Sequence, residues 1–245
     1  MKKVLCLLLP VMIISTLIFG QDSTSVKKPF SRVLVVPAIC IGYGVASLKF
    51  SSLKHVNNHF NDKIFLDGGY HPIHIDNYLQ YAPGALVYGL NLVGIKGKNN
   101  LLDRSAIYAM SNLIMCGMVM GTKNLTQEWR PDRADRLSFP SGHTATAFAA
   151  AEFMRQEYRD VSGWYGVAGY AMAATTGYLR MYNNKHWLGD VVAGAGVGIL
   201  STDIAYYIYP SVKKLFANRK TDDTTVILPY YQQGTAGLSL THVFN

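Results

Sequence analysis

Ser138-Phe139-Pro140-Ser141-Gly142-His143-Thr144 opens an alanine-rich stretch, and this order of residue types suits an anion. A Pro followed by Ser-Gly-His ahead of a helix gathers free backbone N–H groups and the positive end of the helix dipole at one spot. Gly142 lets a phosphate come close to the backbone. Ser141 is either a phosphate ligand or a plain N-cap, and His143 gives or takes a proton near neutrality. Further on, Arg180-Met-Tyr-Asn-Asn-Lys-His186-Trp-Leu-Gly-Asp190 sets His186 and Asp190 four apart, on one face of a helix. A carboxylate bonded to one ring nitrogen fixes the tautomer and leaves the other nitrogen free to attack; an ordinary surface His–Asp pair is the plain alternative. The third cluster is Lys123-Asn-Leu-Thr-Gln-Glu-Trp-Arg130-Pro131, with Asp132, Arg133, Asp135 and Arg136 behind it. Arg130 and Arg180 offer planar forks that match two phosphate oxygens, and Lys123 a point charge. The histidines are scattered without three-ligand spacing, so neither a metal nor another cofactor is expected.

Such groups act together only if rigid elements hold them, and each cluster borders an apolar run. The runs cover residues 33–48, 82–95, 105–122, 144–153, 161–179 and 191–208. The third and fifth have the length of a membrane helix at ~1.5 Å per residue, whereas the fourth is too short for a span. Ala, Gly and Met dominate them, and Gly194-Ala195-Gly196-Val197-Gly198 is a surface for close helix contact. Asp203 interrupts the last run, where a buried charge needs a partner. Residues 51–80 form a polar connection rich in His, Asn and Asp, with the breakers Gly68-Gly69 and Pro72 and a short amphipathic helix.

Composition narrows the class. Charged residues make up only 16% and hydrophobic residues 49% of the 245, which excludes a disordered chain and a small disulfide scaffold. The net charge of +8 is spread thinly with no basic stripe, so nucleic acid is not an expected partner. Lys2 and Lys3 precede an uncharged run and a polar stretch from Gln21, the outline of a secretory leader or of a first membrane helix. Cys40 and Cys116 lie in apolar runs, as buried free thiols do. A basic patch (Lys213, Lys214, Arg219, Lys220) is followed by two β-prone pieces, 224–228 and 238–244, around a turn at 229–234.

Lys123 with six residues before Arg130-Pro131, then Pro140-Ser141-Gly142-His143, then Arg180 with five residues before His186 and three before Asp190, resembles the type 2 phosphatidic acid phosphatase (PAP2) superfamily. The three signatures match in order and spacing across residues 81–209. One position departs: the family commonly has Ser before the third-motif Arg, where this chain has Leu179. The resemblance implies an all-α, six-helix transmembrane bundle with a short β-prone C-terminal tail. It divides the chain into 1–21 (leader or membrane helix), 22–80 (helical and connecting region), 81–212 (catalytic core) and 213–245 (basic linker and tail). It implies metal-free phosphoryl transfer in which His186 attacks phosphorus, Asp190 orients it and His143 serves the leaving oxygen. Lys123, Arg130, Ser141, Gly142 and Arg180 would bind the phosphate. The expected partners are the bilayer and a phosphorylated lipid, lipid A foremost, at a periplasm-facing site in a bacterial inner membrane. The alternatives are undecaprenyl diphosphate, phosphatidylglycerophosphate, and a soluble periplasmic acid phosphatase of the same superfamily.

Overall fold

The computed structural model describes residues 33–66, 71–217, 224–232 and 235–243. The N-terminal leader, the Gly68-Gly69 turn and the basic residues Arg219 and Lys220 lie outside them. All six apolar runs are helical, and the polar connection adds two more helices, so the six-helix expectation becomes eight among the described residues.

Helix α1 (Val35–Lys49) ends at Phe50, whose extended backbone turns the chain. The following α2 (Ser51–Asn61), continued by a π-helical turn Asp62–Leu66, leaves at 98° to α1. The break falls where an apolar sequence gives way to Ser-Ser-Leu-Lys-His-Val-Asn-Asn, which favours water over the core. Two short elements follow, α3 (Asp76–Leu79) and α4 (Ala82–Leu92), the latter with Pro83 in its first turn, where no N–H is missed. Helix α5 (Leu101–Thr126) is capped by Asn100, whose side chain accepts from Asp103 N, and stops at Gln127 in the left-handed conformation with φ 48°. Then come α6 (Gly142–Tyr158), α7 (Gly163–Tyr182) and α8 (Leu188–Ala217).

Helix α6 is the hub. Its Ala145, Ala147, Ala149, Ala150, Ala151 and Phe153 are fully buried, and α4, α5 and α7 pack on it. Alanine there keeps the surface smooth, so neighbours approach closely. At Gly198 of α8 a side chain would collide with Ala145 O and Ala149 N, and at Gly194 it would lie 2.6 Å from Ser141 O. The glycine-rich surface of the sequence therefore packs closely on two sides, Gly194 and Gly198 against α6 and Gly196 against Pro37 and Cys40 of α1. Asp203 has the partners its burial demands: Gln156 Nε2 donates to it at 3.0 Å.

Helix α5 and the stretch Leu188–Leu215 are long and apolar enough to cross a membrane, and the bent α1–α2 pair makes a third if taken as one span. Helix α7, which length alone suggested, is not among them; threonines, tyrosines and Arg180 dilute its apolar character. The chain is a membrane protein on these helices.

Residues Ile208–Asn245 form a separate compact unit, holding the end of α8 and an antiparallel hairpin of β1 (Thr224–Gln232) and β2 (Thr235–Val243). The pairing runs from Thr224↔Val243 to Gln232↔Thr235. The β-prone reading of the tail is right, but the turn is shorter than the sequence suggested: Pro229, Tyr230 and Tyr231 are paired within the strand.

Candidate active site

The three charged clusters meet where α5 ends, α6 begins, and α7 gives way to α8. Lys123 sits in the last turn of α5, mostly buried, and its Nζ donates to Leu137 O. The loop after α5 folds back through Arg130, whose N–H donates to Asp135 O at 3.1 Å and whose Nε donates to Asp135 Oδ1 at 2.8 Å. Those contacts and Leu137 N, which donates to the same carboxylate oxygen, hold Asp135 below the usual carboxylate range against the effect of its burial.

Ser141 is the N-cap of α6, fully buried, accepting from Thr144 N at 3.4 Å and from Thr144 Oγ1 at 2.9 Å. Of the two sequence readings of Ser141, the cap is the one seen. A side chain at Gly142 would meet only Val119 Cγ1 at 3.8 Å, so packing does not require glycine there. Its open backbone at a helix start remains what the sequence suggested, an approach for an anion.

His186 lies in the loop before α8 and is 2% exposed. Its Nδ1 is 3.6 Å from Asp190 Oδ2, a close pair just beyond hydrogen-bond length, and Nδ1 has no other partner. Asp190 is itself fixed by Ser138 Oγ and by Trp187 N, which donate to Oδ2, and its own carbonyl accepts from Ser141 N at 3.0 Å. His143 stands in the first turn of α6, its Nε2 donating to Asn77 Oδ1 at 2.9 Å. Arg180 closes the ring from the end of α7: Nη1 donates to Asp76 Oδ2 at 2.7 Å while Nε is buried without a partner.

Both imidazoles are held neutral. Burial pushes His143 down to about 4, helped by the positive charges of Arg180, Arg130 and Lys123 and opposed by Asp76. Burial likewise pushes His186 well down, with Arg180, Lys123, Arg130 and His143 acting the same way. The two rings and three cations thus lie within electrostatic reach of one another. A neutral imidazole is the nucleophilic form, and a group of clustered cations is what a phosphate neutralises.

Sequence reasoning missed Asp76, Asn77 and Ser138 as members of this constellation. Asp76 and Asn77 sit in the polar connection, whose composition announced water rather than a site, and pair with residues more than sixty positions away. Leu179, the departure from the family pattern, is buried.

Residues 104–214 match the model of the PAP2 superfamily. Across that stretch the chain is similar to the superfamily. Over 155 residues the chain is 38% identical to a lipid A 1-phosphatase of Porphyromonas gingivalis, covering 63% of this chain and 35% of that protein. Over 90 residues it is 33% identical to a lipid A 4'-phosphatase of Bacteroides thetaiotaomicron, covering 37% and 38% respectively. The chain spans about a third of the length of these curated relatives. Among solved structures, Aquifex aeolicus LpxE superposes with a TM-score of 0.49 at 20% identity, covering 65% of this chain and 97% of that one.

Proposed function

We propose that this protein is a metal-independent phosphatase of the PAP2 superfamily that removes phosphate from a membrane lipid through a phosphohistidine, with lipid A the foremost substrate. The observation that carries the reading is the meeting of His143, His186 and Asp190 with Lys123, Arg130 and Arg180 at one place. The neutral ring nitrogen of His186 that faces away from Asp190 attacks phosphorus, and the bond from phosphorus to the leaving oxygen breaks. His143 gives that oxygen a proton. In the second step His143 takes a proton from water, the water oxygen attacks phosphorus and the phosphorus–nitrogen bond breaks. Asp190 keeps the proton of His186 on Nδ1 and stabilises the charged ring.

The cations stabilise the phosphoryl oxygens as charge builds. Each has an internal partner in the empty site, yet a guanidinium carries five donors and an ammonium three, so donors remain for substrate. A phosphate dianion offsets the positive field that adds to burial in depressing His143, so substrate binding raises the proton affinity of the acid.

Lipid A is favoured by the two curated relatives, both named lipid A phosphatases, and by the apolar helices that bear the site. A periplasm-facing site in a bacterial inner membrane fits that substrate. Vanadate-sensitive phosphate release by purified protein tests the reading, run on lipid A, undecaprenyl diphosphate, phosphatidylglycerophosphate and a small soluble phosphomonoester. The expected order places lipid A first. Equal turnover of the soluble ester would replace the lipid reading by a non-specific phosphatase, and no turnover of any of them would end the enzymatic one.

A further inference from the structure

The short helix α3 lies outside the stretch that matches the family, yet it reaches into the site at two points and is anchored just ahead of them. Asn183, at the end of α7, holds Ile73 by both backbone groups, donating to Ile73 O at 2.7 Å and accepting from Ile73 N at 3.0 Å. That pair of bonds fixes where the following residues stand. Asp76, with no exposed surface, accepts from Arg180 Nη1, and Asn77 accepts from His143 Nε2. Asp76 Oδ1 and Arg180 Nε are both buried and unpartnered, an arrangement that costs stability unless it is completed when substrate binds.

We propose that Asp76 and Asn77 are positioning residues of the phosphoryl transfer, Asp76 holding Arg180 by one nitrogen so that its Nε remains for a phosphoryl oxygen, and Asn77 holding the His143 ring. The inference rests on the phosphatase reading above. A bare guanidinium at the end of a long chain samples many rotamers; a fully buried carboxylate on Nη1 removes that freedom before substrate arrives. The Asp76 charge has a second effect. His143 faces Arg180 from α7, Arg130 and Lys123 from the end of α5 and its loop, His186 from the loop before α8, and Asp76 from α3. Among those groups Asp76 is the anion that opposes the cations, so it raises the proton affinity of His143 where they lower it. The acid must hold its proton to serve the leaving oxygen, so kcat falls as pH rises through its pKa in the complex. Without the Asp76 charge that fall begins at lower pH.

The test is the pH profile of kcat on the best substrate for wild type, Asp76→Asn, Asp76→Glu and Asn77→Ala, each checked for an intact melting transition in detergent. Asp76→Asn is expected to lower kcat by about 10- to 100-fold and move the alkaline limb down by about one pH unit. Asp76→Glu, which keeps the charge, leaves the limb in place. Asn77→Ala lowers kcat about fivefold, the worth of one hydrogen bond, with the limb unmoved. A limb that stays put in Asp76→Asn makes the residue merely structural and overturns the proposal. So does a limb that moves equally in Asp76→Glu or Asn77→Ala, and Asp76→Glu decides alone if Asp76→Asn fails to fold. An inactive wild type is a failure of the phosphatase reading instead, and the variants are then not compared.

Discussion

Helix α6 carries ionic clusters at both ends, about 21 Å apart at ~1.5 Å per residue between His143 and Glu157, and they are built on opposite principles. At the far end Glu157 accepts from Arg104 Nε at 3.3 Å, Asn99 N at 3.1 Å and Tyr206 Oη at 2.6 Å, and a turn earlier Glu152 accepts from Arg155 Nε at 2.7 Å and Gln156 Nε2 at 2.9 Å. None of the buried side-chain atoms left without a partner among the described residues belongs to Arg104, Glu152 or Glu157. At the near end Asp76 Oδ1 and Arg180 Nε are orphaned, and His186 Nδ1 has only Asp190 Oδ2 near it, at 3.6 Å. Buried polar groups in a native protein are normally satisfied. A cluster that closes on itself is therefore structural, and one that leaves donors and acceptors open is shaped for something that arrives later.

Breaking each end should break a different property. His186→Ala is expected to abolish phosphate release, a loss of more than about 1,000-fold, with the melting temperature close to wild type; near-normal release would remove His186 from the chemistry. Arg104→Ala removes one partner of a buried pair and leaves Glu157 underpaired, which typically costs about 3–5 kcal/mol. Its turnover per folded molecule should match wild type. If Arg104→Ala lost turnover but not stability, the division between the two ends would be wrong.

The two ends also differed in how far they could be read from the sequence. Lys123, Arg130, His143, Arg180, His186 and Asp190 declare themselves through spacing around helix termini, because capping and anion binding depend on local order along the chain. The partners that tune them do not. Asp76 and Asn77 lie in a stretch with no periodicity of its own, and only the docking of Ile73 on Asn183 brings them to the site. Glu152, Arg155 and Glu157 look like the solvated face of a helix until the surrounding helices enclose them. The apolar runs gave six of the helices for the same local reason, and the switch from apolar to polar residues after Phe50 marks where the chain breaks, whereas the 98° size of the bend is written in no window of sequence.

A smaller effect separates the ends without a mutation in either. His143 is neutral in the empty site, with its pKa pushed down to about 4, and a bound dianion offsets the cations and raises it. Between those two values, binding must take up protons. Calorimetric titration with sulfate, which stays doubly charged, in two buffers of different ionisation enthalpy should show uptake at about pH 5 to 6, fading as pH rises past the bound-state pKa. Release of protons, or none, would contradict the balance of charge drawn for the site, whereas Arg104→Ala should leave the uptake unaltered.

The weakest expected effect comes from an ion pair that sits beside the site but belongs in character to neither end. Lys185 Nζ donates to Asp132 Oδ2 at 2.7 Å, tying the loop after α5 to the loop before α8, and the lysine side chain is 37% exposed. Solvent screens such a pair to about 0–1 kcal/mol. The same two loops are also joined by Asp132 N, which donates to Asn184 O at 3.2 Å, and by Trp187 Nε1, which donates to Trp129 O at 2.8 Å, so the backbone stays in register when the lysine is removed. Lys185→Ala should lower stability by less than about 1 kcal/mol and kcat less than about threefold, and the difference from wild type should shrink in high salt. A loss as large as that of Arg104→Ala would show that closure of these loops, and not burial of charge, is what holds the active-site end together.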